Sequence, residues 1–325
     1  MKPSRKDVAN LAGVSPTTVS RVINDRGYIS KKTREQVEAA MKNLGYYPNE
    51  IARSLSRRKS GFIGLIFPSL TNPFQVELIN HIECILSKRG YKVLICNSNN
   101  SSKNEIKYLE MLKRNQVDGI IVNSLTESLN KYIDSDLHIV SIDRKIDDTI
   151  PLISCDNYNG AKLAIQRLIN KHCINILFIG NQEKNIYMDA DKRYQAYKDL
   201  CTENNLKLYT LPIDFTLPYE KKCNIIRNFF DSHPYIDGVF SDDSSAIAAL
   251  NTAKDMGKNI PENLKIIGFD GASITKEFLP SLTTIEQPIS LLAKISVDTL
   301  FSVMSNNEGY NTTNLPITLK SGLSG

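Results

Sequence analysis

Beyond residue 61 the chain alternates short apolar runs with amphipathic stretches, and no other feature restricts its fold as much. The runs lie at 62–67, 92–96, 119–122, 138–142, 152–154, 174–179, 207–211, 238–240, 265–269 and 283–285. Between them, residues 74–88, 104–115, 158–170, 193–204, 219–232 and 244–256 place apolar side chains at helical spacing. Strands separated by helices pair in parallel, with helices covering both faces of the sheet. Ten strands fit two sheets better than one, and the second half repeats the first in topology though not in sequence. Two such lobes side by side leave a cleft at the carboxyl ends of their strands, where open α/β sheets bind ligands.

Residues 1–60 are built differently. They carry 13 lysines and arginines against 5 acids, a charge of +8, whereas the remainder carries 27 against 30. A polyanion is therefore expected at this end alone. A short helix over 5–12 turns Val8, Leu11 and Ala12 to one side and stops at Gly13. The next opens on Ser15-Pro16, a hydroxyl cap followed by a proline whose missing N–H costs nothing at the first helical position. It runs to Asn24 with Val19, Val22 and Ile23 buried, so that Thr17, Thr18, Ser20, Arg21 and Asn24 face outward. Small polar groups around one guanidinium suit a helix lying in a DNA major groove, where arginine grips a guanine edge with two bonds. A third helix over 33–44 closes the small core with Val37, Ala40, Met41 and Leu44.

Other function classes lack their residues. The six cysteines (Cys84, Cys96, Cys155, Cys173, Cys201, Cys223) form no Cys-x-x-Cys pair, and the four histidines share no ligand spacing with them. No metal and no cofactor are expected, and the thiols read as buried groups in a reducing cytoplasm. The charged start has no export signal, and the apolar runs are too short to span a bilayer. No nucleophile elbow, Walker loop, His-Glu-x-x-His helix or paired acid and base is present, so no catalytic residue is assigned.

In order along the chain, Asp7-Val8-Ala9, Ala12-Gly13-Val14-Ser15, Thr18-Val19-Ser20-Arg21-Val22, Lys32-Thr33-Arg34 and Gly45-Tyr46-Tyr47-Pro48-Asn49 resemble the head of a LacI/GalR-type bacterial repressor. The likeness continues through Asn72-Pro73-Phe74, Asp143-Arg144, Asp156-Asn157, Ile267-Gly268-Phe269-Asp270 and Leu282-Thr283-Thr284-Ile285. It implies an N-terminal all-α helix-turn-helix domain and an α/β periplasmic-binding-protein-like core of two doubly wound parallel-sheet lobes. The expected divisions are a headpiece over 1–48, a hinge helix and linker over 49–60, and a core over 61–325. Within the core, 61–157 and 289–315 form the first lobe, and 158–288 and 316–325 the second.

By the same resemblance the chain is a homodimer on a near-palindromic operator. Thr17 and Arg21 read bases, Pro16 adds an apolar contact, and Thr18 stands beside them on the outward face. Ser20, Asn24, Ser30, Thr33 and Asn49 hold phosphates. Residues 49–56 become helical on DNA, Ala52 sits against the minor-groove floor and Leu55 wedges a base step. No carboxyl-terminal leucine heptad is seen, which favours a dimer over a tetramer.

Carboxylates follow three strands, at Asp143, Asp242 and Asp270. Arg193 and Phe74 begin helices, and Phe215 sits in a loop. An Asp at a strand end serves equally as a helix cap, but these six match the family's effector pocket, where polar side chains hold sugar hydroxyls and a ring covers the apolar face. Val14-Ser15-Pro16-Thr17-Thr18, Gly64-Leu65-Ile66-Phe67-Pro68 and Asp143-Arg144-Lys145 resemble sucrose-operon repressors of Gram-positive bacteria. A sucrose-related effector is expected; ribose or a protein co-effector is the alternative.

Overall fold

The computed structural model describes residues 3–47, 60–124, 126, 129–133, 137–181, 188–306 and 312–325. It divides into two compact units, Met1–Gly61 and Phe62–Gly325.

The smaller unit holds α1 (Arg5–Ala12), α2 (Pro16–Asn24) and α3 (Lys31–Leu44). Each starts on a serine. Ser4 and Asp7 form a reciprocal capping box, Ser15 accepts from the Thr18 N–H, and Ser30 accepts from the Thr33 N–H. Each such cap is worth about 1 kcal/mol over alanine. Ser30 starts α3 two residues earlier than the apolar spacing indicates. Each helix ends on a left-handed residue: Gly13, Asp25 or Gly45. Val8, Ala9, Val19, Val22, Val37 and Ala40 form the core. Leu11, expected inside, is 53% exposed and Ala9 takes its place. In a two-turn helix the buried stripe is narrow: Ala9 and Leu11 flank Val8 and Ala12 on opposite sides, and only the Ala9 flank is covered.

The larger unit contains two six-stranded sheets. The first has β1 (Phe62–Phe67), β2 (Lys92–Asn97), β3 (Gly119–Val122), β4 (Ile139–Ile142), β5 (Leu152–Cys155) and β11 (Thr313–Leu315), in the order β11-β5-β4-β3-β1-β2. All its pairs are parallel. The second has β6 (Ile176–Ile179), β7 (Tyr209–Leu211), β8 (Gly238–Ser241), β9 (Lys265–Asp270), β10 (Thr283–Glu286) and β12 (Thr318–Lys320), in the order β12-β10-β9-β8-β6-β7. Only β12 runs antiparallel to its neighbour.

Around the sheets lie α4 (Pro73–Lys88), α5 (Ser102–Arg114), α6 (Asn157–Asn170), α7 (Lys192–Glu203), α8 (Tyr219–Ser232), α9 (Asp243–Asp255), α10 (Ser273–Phe278) and α11 (Ile289–Met304). Covered on both faces, β3, β4, β5, β6 and β8 are buried along their whole length. Leu292, Val297 and Leu300 of α11 pack with Leu78, Ile82 and Leu86 of α4 against the first sheet. The chain thus returns to the first lobe after β10 and crosses again between β11 and β12.

In each sheet the strand order reverses at one point, between β1 and β3 and between β6 and β8. The chain departs to opposite sides there, opening a crevice at the carboxyl ends of those strands. Gly160 brings α6 close to this region: a Cβ there would lie 2.7 Å from the Phe269 ring.

Candidate functional site

The crevices of the two lobes share a cavity of about 490 Å³, a size typical of small-molecule sites. Its walls carry Phe74, Phe178, Phe215 and Phe240 as apolar surface, with Asn72, Gln75, Asn123, Asp143, Arg193, Asp242 and Asp270 among its polar groups. All six residues expected at an effector pocket (Phe74, Asp143, Arg193, Phe215, Asp242, Asp270) therefore line one cavity. Asp143 and Phe74 come from the first lobe and the other four from the second.

Arg193 is the most heavily engaged side chain. Its guanidinium lies 3.6 Å from the centre of the Phe269 ring, its Nη1 is 3.6 Å from Asp270 Oδ1, and its Nε donates to Asn157 Oδ1 at 2.6 Å. Asn157 donates in turn to Asp189 Oδ2 at 3.1 Å. A flexible arginine held on a ring face and at two polar contacts has lost most of its rotamer freedom before any ligand arrives.

Asp143 adopts a left-handed backbone (φ 58) just past β4. Its Oδ1 is buried without a hydrogen-bond partner. Burial pushes its carboxyl up to about 7, with Arg193 opposing and Asp189 adding to the rise. Asp270 is likewise raised well above the usual range by burial, although Arg193 lies beside it and Gln287 Nε2 donates to it at 2.9 Å. Asp242 caps α9, its Oδ1 accepting from the Ser245 N–H at 3.0 Å, and still lines the cavity. The cap and the cavity wall are thus one residue.

Behind these sits a layer that orients them. Asp243 accepts from the Gly271 N–H at 2.8 Å and from Thr284 Oγ1 at 2.5 Å, fixing the start of the turn that follows Asp270 at the end of β9. Lys222 is 1% exposed, and its Nζ donates to the Phe215 carbonyl at 2.9 Å and to Ser244 Oγ at 2.8 Å. Asn100 of the first lobe donates to Asp214 of the second across the cavity.

Sequence reading passed over Gln75, Asn123, Asn157, Phe178 and Lys222 as site residues. Gln75 adjoins Phe74 on the same helical turn, and Phe178 is an aromatic near the end of a strand beside the crevice; those were the available signals. Lys222 gave none, because its partners lie 7 and 22 residues away.

In the smaller unit, Pro16, Thr17 and Arg21 are exposed on α2, while Thr18, Ser20 and Asn24 are half-buried. Asn24 Nδ2 donates to the Ser20 carbonyl at 2.9 Å. Ser30 and Thr33 lie at the start of α3, hydroxyl to hydroxyl at 2.8 Å. Asn49, Ala52 and Leu55 fall outside the described residues. Among the described residues no group of histidine, cysteine and acidic side chains is arranged to hold a metal ion, and no helix is long and apolar enough to cross a membrane.

Residues 5–49 match the lacI family of bacterial regulatory proteins, and residues 165–324 match a periplasmic binding protein-like domain. A sucrose operon repressor of Streptococcus mutans is 41% identical over 318 residues, 97% of each chain. A ribose operon repressor of Halalkalibacterium halodurans is 39% identical over 292 residues, 90% of this chain and 87% of that one. Among solved structures, a lac repressor dimer bound to operator and the anti-inducer ONPF shares the fold, with TM-score 0.85 and 23% identity over 100% of this chain and 99% of that one.

Proposed function

The chain belongs to the LacI family of bacterial regulatory proteins and is a DNA-binding repressor of the sugar-operon type, and we propose that it binds a near-palindromic operator as a homodimer and releases it when a sucrose-related sugar fills the cleft. It acts in the cytoplasm and performs no catalysis. The single observation that carries the effector reading is the meeting of Asp143, Arg193, Asp242 and Asp270 with Phe74 and Phe215 around one cavity. Carboxylates and a guanidinium match paired sugar hydroxyls, and rings match the C–H face of the same molecule. The likeness to a ribose operon repressor supports ribose as the second reading.

On DNA, Thr17 and Arg21 read base edges from the exposed face of α2, with Pro16 and Thr18 beside them. Ser20, Asn24, Ser30, Thr33 and Asn49 set the register on phosphates. Ala52 and Leu55 belong to a hinge that enters the minor groove, Leu55 as its wedge. Sugar in the cleft changes the angle between lobes, which alters the separation of the two hinges in the dimer and weakens the operator complex.

Two variants separate the two sites. Fluorescence anisotropy on operator DNA, with and without sucrose, is the measurement. Arg21→Ala is expected to lose about 1–3 kcal/mol of discrimination against a scrambled site, while its sugar-induced thermal shift stays. Arg193→Ala is expected to bind operator as the parent does and to stop responding to sugar. A normal sugar response in Arg193→Ala removes the cleft from the signalling route.

A further inference from the structure

Among the described residues that line the cleft, Asp143, Asp191, Asp214, Asp242 and Asp270 stand against Arg144 and Arg193, five carboxylates to two guanidiniums. The formal excess is three negative charges. Even with Asp143 and Asp270 both protonated, as their burial favours, one remains. Arg193 is moreover already committed to Asp270, Asn157 and the Phe269 ring.

The lining also asks for donors. Gln75 Oε1 and Asp143 Oδ1 are acceptors without a hydrogen-bond partner, on side chains only 6% and 7% exposed that border the cavity. A buried acceptor left unpaired is costly, and a ligand hydroxyl relieves that cost by donating once the side chain turns its shielded oxygen toward the cavity. A phosphate dianion brings acceptor oxygens and negative charge, so it meets neither need.

Helix N-termini elsewhere bind phosphate through free N–H groups, and two on this cleft each give one N–H to a side-chain cap. At α9 the Asp242 carboxylate takes the Ser245 N–H. At α4 the Asn72 side chain takes the Gln75 N–H, and the first helical residue is Pro73, which has none.

We propose that the cleft admits an uncharged polyhydroxyl ligand, with Gln75 accepting a hydrogen bond from one of its hydroxyls, and excludes the phosphate ester of the same sugar. The inference rests on the cleft being the sugar site and adds the charge state of what it takes.

The test is calorimetric titration of the full-length protein with three pairs of probes: sucrose and sucrose 6-phosphate, fructose and fructose 6-phosphate, ribose and ribose 5-phosphate. In at least one pair the free sugar binds, and its ester binds at least tenfold more weakly. Gln75→Met, which keeps the shape and removes the acceptor, weakens the free sugar about tenfold. Gln75→Glu keeps an acceptor, holds the free sugar and widens the gap to the ester. An ester that binds as tightly as its parent sugar, or a Gln75→Met protein that binds the free sugar unchanged, overturns the inference and leaves the sugar site standing. Silence from all six probes, in protein that still binds operator, overturns the sugar reading itself.

Discussion

Asp143 shows how much a single residue can hold in tension. Its left-handed backbone is one that aspartate and asparagine tolerate better than most residues. Burial raises its carboxyl to about 7, and burial raises Asp243 to about 6 despite the bonds from Thr284 and Gly271. In the unfolded chain an aspartate titrates near 3.9. Between roughly pH 4 and 7 the folded protein therefore keeps protons that the unfolded chain has released, so stability falls as pH rises through that window. The loss is complete above about pH 7, where both states are ionised and the folded one carries buried charge. Asp143→Asn keeps the backbone geometry and removes the titration. Its thermal midpoint is expected to decline less steeply than the parent's between pH 5 and 8. At pH 8 it is expected to be higher, by about 2–4 °C for each kcal/mol recovered. Parallel curves for the two proteins would show that this carboxyl does not set the slope. The three carboxylates at strand ends were legible in the sequence because a strand's last apolar residue marks where the chain leaves the sheet. The unpaired state of Asp143 was not, since it depends on what every other element fails to offer it.

At the scale of elements, most long and periodic segments declared themselves, and some of the shortest did not. The helical spacing over 219–232 corresponds to α8 residue for residue, because fourteen positions hold several full turns of pattern. β11 and β12 have three residues each and α10 has six, too few for either period to stand out. β6 and β7 begin two residues later than their apolar runs, since Ile174 and Lys207 precede the paired strand. Lys222 lies on the well-read α8, yet its role belongs to tertiary structure: a buried ammonium joins the loop carrying Phe215 to the first turn of α9. Lys222→Met preserves much of the stem's bulk and leaves the Phe215 carbonyl and Ser244 hydroxyl without that donor. Leaving such groups unpaired costs about 1–3 kcal/mol. Weaker binding of the free sugar is expected, together with a lower thermal midpoint and unchanged operator affinity in its absence. Sugar affinity equal to the parent's would mean that Phe215 keeps its place without the lysine.

For the whole molecule, the division of charge along the chain separates the two binding events physically. The +8 of residues 1–60 faces a polyanion, whereas residues 61–325 are slightly acidic and surround a cleft whose described lining is itself negative. DNA binding releases the counterions condensed on each phosphate it neutralises, so operator affinity must fall along a straight line in log salt. A protein making several phosphate contacts loses about 10³–10⁵ in affinity between 50 and 200 mM. An uncharged ligand releases no counterions, and its affinity for the DNA-free protein is expected to change by less than about twofold over the same range. Linkage binds the two together: the factor by which saturating sugar changes operator binding is the factor by which operator changes sugar binding, about 5–150-fold for ordinary coupling energies. Anisotropy for the operator and calorimetry for the sugar, each run across the salt series, measure both slopes. A steep salt dependence for the sugar would mean that its binding involves charge, against the uncharged ligand proposed for the cleft. A shallow one for the operator would mean that the basic head makes few phosphate contacts, and that specificity comes chiefly from the base edges read by α2.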